Sequence, residues 1–260
     1  MSEESDQQET NIEEPEESAF KQMSLIDHLE ELRTRLIICI ITACVGTVGG
    51  WFVVPRALKI LLRTTGSLHY MHPMDAFTWK IKLAFYIGLA ITSPVLITEI
   101  WLFIAPALKK NERRFAFPTI LSATLLFYTG VSAGVLMLPL TLKYLQSLGG
   151  KEMLPFYMID KYLGFFCALA IGLGIAFETP VVLVLLAKLG VVSYKRLASG
   201  RKYAILISAV GAAVVNPSND PVTTIGFFVT MYLFFEISLL IIRFIKPVQL
   251  RKNQNDINSD

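Results

Sequence analysis

The stretch GLGIAFETPVVLVLL (172–186) carries a single ionisable side chain, Glu178, inside an otherwise apolar run. Whether that run is a soluble core or a membrane span decides the fold. The rest of the chain answers: it is 53% hydrophobic and 17% charged, with a mean hydropathy of +0.54, whereas a soluble domain carries about a quarter charged residues. Apolar runs of about 20 residues, enough to cross a bilayer as a helix, recur along the sequence. They are continuous rather than alternating, which selects helices over barrel strands. The fold class is therefore an all-α polytopic membrane protein. Six spans are predicted at Leu36–Val54, Leu83–Ala105, Phe115–Pro139, Leu163–Leu186, Tyr203–Val215 and Val222–Ile242. Pro180 removes a backbone hydrogen bond and should bend the fourth span beside Glu178.

Residues 1–18 hold eight acids and no base, the opposite of a signal-peptide n-region. They belong to a solvated acidic tail over 1–22, ahead of a membrane domain over 23–247 and a C-terminal tail over 248–260. Without those eight acids the net charge of +3 becomes +11. Such a basic balance can signal nucleic acid, but these bases sit beside spans, where they set topology. With the N-terminus inside, the inner segments carry 16 Lys and Arg and the outer segments 8, which places both termini in the cytoplasm. The absence of a transit-peptide composition favours a bacterial inner membrane over a thylakoid. Trp51, Trp79 and Trp101 fall near span ends, as interfacial aromatics do. Cys39, Cys44 and Cys167 lie in apolar runs and read as small core hydrophobes.

The fifth span is short. Its 13 residues cover about 20 Å against a hydrocarbon core of about 30 Å. Joined to the sixth by the tight NPSNDP turn (216–221), it should thin the bilayer or sit behind other helices.

Ahead of the first span runs SLIDHLEELRTRL (24–36). Ser24 and Asp27 have capping-box spacing, so a helix should start there. Leu25, Leu29, Leu32 and Leu36 form one stripe, which predicts an amphipathic helix lying on the cytoplasmic face and feeding into the membrane. Glu31 and Arg35 are spaced as a surface ion pair worth a few tenths of a kcal/mol, roughly 0.2–0.5. In the first inner loop, APALKKNERRF (105–115), Glu112 is one acid among four bases and relieves their repulsion. Arg113–Arg114 is internal and flanks a span, so it is a topology signal rather than an export signal.

Three acids fall within spans: Glu99, Glu178 and Glu236. Charged groups there cost at least about 2.5 kcal/mol each and are functional candidates. Glu99 can reach the cytoplasmic interface, Glu236 lies deeper in the last span, and Glu178 is near the middle of span four. A proton-coupled secondary transporter could use them as a relay, although no paired halves with matching broken helices are visible. His28, His69 and His72 lie in or near loops, and HExxH, GxSxG and P-loop patterns are missing. No catalytic set or cofactor site is expected.

The sequence resembles the TatC family of the twin-arginine protein translocase. The resemblance runs from about Met23 to Lys246, on HLEELRTRL (28–36), PVLITEIWLFIAPALKKNERR (94–114), LLFYTG (125–130), FETP (177–180), NPSNDP (216–221) and FEI (235–237). It implies a glove-shaped bundle with short helices five and six that binds the twin-arginine signal peptides of folded proteins. By that resemblance Glu31 and Glu112 receive the two arginines, with Arg33 a further match in the first segment. Phe103 and Pro106 are structural matches beside the loop, as is Pro180 in FETP. Glu178 matches an intramembrane glutamate that meets single-span subunits of the TatA and TatB kind, with Glu236 a second polar position in the bundle. The implied protein is a non-enzymatic receptor and scaffold, driven by the proton gradient and assembled as a homo-oligomer. One departure is the stretch KILLRTTG (59–66), which lacks the proline that often follows a short helix there.

Overall fold

The computed structural model describes residues 25–65, 67–104, 116–150, 155–216 and 220–244. Among them lie eight helices: α1 (Leu25–Thr65), α2 (Pro73–Ile104), α3 (Ala116–Leu148), α4 (Ile159–Phe177), α5 (Thr179–Lys188), α6 (Tyr194–Ser199), α7 (Arg201–Val215) and α8 (Pro221–Phe244). The described residues form no sheet, only an isolated backbone bridge between His69 and Met158. By length and composition five segments can cross a membrane: α1, α2, α3, α4 together with α5, and α8. Ile37, Ile40, Ile41, Val45, Val48 and Phe52 of α1 are exposed, an outward apolar belt suited to lipid. The chain is a multi-pass, all-α membrane protein. α7, at the expected fifth span, has 15 residues and reaches only about 22 Å.

α1 departs from the expected outline. No break separates an interfacial helix from the first span, since one helix of 41 residues runs from Leu25 through Pro55 to Thr65. Its length is about 60 Å, roughly twice a hydrocarbon core. The expected leucine stripe faces outward: Leu29, Leu32 and Leu36 are all exposed. α3 likewise continues past Pro139 to Leu148.

Small residues bring the helices close. Gly46 and Gly50 of α1 meet Ala84 and Gly88 of α2. A Cβ on Gly88 would stand 2.5 Å from the Gly46 carbonyl carbon and the Thr47 nitrogen, so the two backbones touch, as small-xxx-small pairs allow. Gly130 and Gly134 do the same for α3 on α4, where an added Cβ would lie 2.6 Å from the Leu173 oxygen and 2.6 Å from the Ala170 Cα. Leu138, Leu142, Tyr162, Leu163, Leu169, Leu173, Ala212 and Phe227 close the main core between α3, α4, α7 and α8.

The ends of the bundle are stitched by polar groups. At one end the Trp79 indole N–H donates to Asp160 Oδ1 at 2.8 Å, and the Tyr162 hydroxyl donates to the Leu61 carbonyl at 3.1 Å. His69 N–H donates to the Tyr157 carbonyl and Ile159 N–H to the His69 carbonyl, at 2.9 and 2.8 Å. These bonds make a small cap between spans, built on extended helix ends. Trp79 and Trp101 are buried against protein while Trp51 is exposed, and of the cysteines only Cys167 is buried. Before α8, the buried Asp220 carboxylate accepts from Thr223 N–H at 2.8 Å and from the Thr223 hydroxyl at 2.6 Å. Buried Asn216 donates to Thr224 Oγ1 at 2.7 Å. Asp220 is thus a helix cap, with Pro221 at the first helical position, while residues 217–219 of the expected turn lie outside the described residues.

Candidate functional site

At the opposite end of the bundle the start of α1 faces the end of α2. His28, Glu31 and Arg35 are spaced i, i+3 and i+7, so they share one side of α1, while Glu99 and Phe103 share one side of α2. His28 stacks on Phe103 with ring centroids 4.5 Å apart. Arg35 Nη1 donates to Glu99 Oε2 at 2.9 Å, and Arg35 Nη2 lies 3.5 Å from Glu31 Oε1. The other oxygen, Glu31 Oε2, is buried with no hydrogen-bond partner among the described residues. Glu31 is therefore more than the surface ion pair its spacing suggests: Arg35 is drawn toward Glu99, and half of the Glu31 carboxylate is left open. Arg33, on another side of α1, is exposed. Glu112 and Pro106, expected to complete this region, lie outside the described residues.

Glu178 sits where α4 ends and α5 begins, so the bend expected near Pro180 is a one-residue break inside a single span, with Glu178 itself still in helical conformation. Pro180 occupies the first turn of α5, where a missing N–H costs little. The Thr179 hydroxyl donates to the Ala176 carbonyl at 2.8 Å, and Phe177 packs edge-on to Phe234 of α8 at 4.5 Å. Glu178 Oε1 is buried with no hydrogen-bond partner among the described residues. An unpartnered buried oxygen is costly, which makes Glu178 a place where another molecule can supply a donor.

Glu236, expected deeper in the last span, has partners of its own. It accepts from Arg201 Nη2 of α7 at 3.1 Å and from the Tyr232 hydroxyl at 3.0 Å. Arg201 opens α7, so the pair clasps the base of the last hairpin, on the same side as Glu31. Glu99 and Glu236 thus each answer a different arginine, and no hydrogen bond among the described residues links them to Glu178. Among the described residues the three acids are not joined by hydrogen bonds into a relay. Among the described residues, no group of histidine, cysteine and acidic side chains is placed to hold a metal.

Sequence reasoning missed Glu99 as the partner of Arg35. The available signal was an acid at the inner end of span two, facing a helix with one arginine more than Glu31 could use. It also missed the buried cap at Asp220, whose Asp-Pro-x-Thr order was readable as an N-terminal cap.

A break at Glu178, glycine-lined crossings and a short penultimate helix define a multi-pass helical membrane protein of particular design. A sequence profile described as "Sec-independent protein translocase protein (TatC)" matches residues 27–246. The chain is 34% identical over 232 residues to a protein of that name from Carboxydothermus hydrogenoformans, covering 87% of this chain and 96% of the relative. It is 36% identical to the Aquifex aeolicus protein of the same name, covering 84% and 94%. A crystal structure titled twin arginine translocase receptor TatC in DDM superposes with a TM-score of 0.76 at 35% identity, covering 83% of this chain and 99% of that one. The chain belongs to the TatC family, and its role lies in protein transport.

Proposed function

We propose that the chain is the core receptor and scaffold of a twin-arginine translocase. In this reading it crosses the bacterial inner membrane six times, with α7 and α8 as a short final hairpin. Both termini are cytoplasmic, and the bundle is curved like a glove. Glu31 and Glu112 take the two arginines of a signal peptide, with Arg33 beside them, and the peptide's apolar segment enters the bundle. Glu178 receives the single helix of a TatA- or TatB-type subunit, with Glu236 near the same face. Several copies of the chain assemble in the receptor complex, and the proton gradient drives export.

The observation that carries this reading is the open, buried oxygen of Glu31 beside the Arg35–Glu99 pair. A carboxylate there accepts charge-assisted bonds from a planar guanidinium that an ammonium cannot match in geometry. The test is binding of a labelled signal peptide to the purified chain, with Arg-Arg or Lys-Lys at the recognition pair. Arg-Arg should bind at least ~10-fold more tightly, about 1.4 kcal/mol, and Glu31→Gln with Glu112→Gln should remove the preference. A preference that survives both changes would refute the docking assignment. The proton-relay transporter has no support from the acids, because two of them are committed to arginines.

A further inference from the structure

Arg35 stands between two carboxylates and is closer to the more distant one in sequence. Its Nη1 is 2.9 Å from Glu99 Oε2, across 64 residues, while its Nη2 is 3.5 Å from Glu31 Oε1, one turn away on the same helix. Left to α1 alone, the arrangement would be the reverse. A glutamate four residues ahead of a basic residue is the favourable order on a helix, and a guanidinium fork fits both oxygens of one carboxylate. Such a fork would consume Glu31 Oε2, the atom that is buried and has no partner among the described residues. What prevents it is Glu99. The His28–Phe103 stack pins the same ends of α1 and α2 together, so Arg35 stays within reach of α2.

We propose that Glu99 is a positioning residue of the arginine-binding site: it holds the Arg35 guanidinium off Glu31 and keeps one Glu31 oxygen open for a guanidinium of the bound peptide. The inference rests on reading Glu31 as an arginine acceptor. Glu99 itself need not touch the peptide. It acts by engaging an internal competitor that would otherwise occupy the acceptor.

The experiment measures binding of a fluorescent peptide bearing Arg-Arg ahead of an apolar segment to the full-length chain in lipid nanodiscs. Glu99→Gln should weaken binding about fivefold, roughly 1 kcal/mol, because Arg35 closes on Glu31. Adding Arg35→Gln to that variant should bring binding back to within about twofold of wild type. That rescue separates positioning from a purely structural role. If the Arg35–Glu99 pair merely tied α1 to α2, Arg35→Gln alone would be as harmful as Glu99→Gln, and the double variant no better. Because losing one partner leaves the other charge unpaired, and a second loss can repair that, a Glu99→Gln melting curve that matches wild type is what excludes unfolding as the cause. Wild-type binding in Glu99→Gln, or a double variant no tighter than the single, overturns the proposal. Glu31→Gln is the accompanying control. If it leaves Arg-Arg binding intact, the acceptor reading and this inference fall together. If it abolishes binding while Glu99→Gln does not matter, only the positioning role falls.

Discussion

Alanine at Gly88 tests whether the α1–α2 crossing sets the spacing of the site. The added Cβ would stand 2.5 Å from the Gly46 carbonyl carbon and the Thr47 nitrogen, and 2.6 Å from the Gly46 oxygen. Ordinary contact needs about 3.5–4.0 Å, and backbone atoms cannot rotate aside. The two helices must therefore part by about 1 Å, at a cost of about 1–3 kcal/mol. Glu99 lies 11 residues beyond Gly88, and Arg35 lies 11 residues before Gly46, about 16 Å along each helix. A separation of 1 Å carried to that point stretches the 2.9 Å Arg35–Glu99 bond to nearly 4 Å, beyond hydrogen bonding. For a domain of about 200 residues each kcal/mol lowers Tm by ~2–4 °C, so a fall of about 2–12 °C is expected. Gly49 is the matched control, because a Cβ there meets nothing within 4 Å, and Gly49→Ala should stay within about 0.5 kcal/mol of wild type. Tryptophan fluorescence on heating in detergent, with peptide binding alongside, measures both effects. If Gly88→Ala melts with wild type and binds peptide equally well, the close crossing is not what spaces the site.

Asp220→Ala should destabilise the chain by about 2–4 kcal/mol, since it removes a helix cap and strands the fully buried Thr223 hydroxyl; thermal unfolding reads it, and a loss under ~1 kcal/mol would contradict the cap. A double-mutant cycle on Arg201 and Glu236 should give a coupling below about 1 kcal/mol, because their side chains are 53% and 34% exposed; a larger value would mean the pair is more enclosed than its exposure implies. Glu178→Leu should raise Tm, as it removes an unpartnered buried oxygen worth roughly 1–3 kcal/mol, while lowering co-purification of single-span subunits. Glu178→Gln should keep those subunits, since an amide can also hydrogen-bond across helices. A Leu variant that melts lower and still retains its partners would count against both parts.

How much was legible in the sequence differs by kind of feature. Apolar run length located five long spans and the short fifth helix, because a bilayer imposes length on each segment separately. The interruption at Glu178 was readable from Pro180 for the same local reason. The leucine stripe before span one announced a helix but not its unbroken run into the span, nor that its polar side packs on protein: periodicity reports that a helix has two sides, not what each one meets. In lipid the apolar side is free to face outward, and here the polar side carrying His28, Glu31 and Arg35 turns toward α2 instead. Glu99 and Glu236 were recognisable as unusual, but their arginines lie 64 and 35 residues away, and no local rule chooses between candidate partners at that range. Gly46, Gly50 and Gly88 carried no individual signal either. Their meaning comes from the helix opposite them.

The unbroken course of α1 has a mechanical consequence. Gly46 and Gly50 mark its closest approach to α2. Arg35 and Leu61, whose carbonyl receives the Tyr162 hydroxyl, each lie 11 residues from the nearer of the two glycines, about 16 Å away. The helix is a seesaw with equal arms. Any tilt about the crossing that moves Arg35 by 1 Å moves Leu61 by about the same distance the other way, for as long as the turn at Pro55 stays stiff. What is bound at one face of the membrane is then felt at the other through a single piece of backbone, with no chain of side chains needed between them.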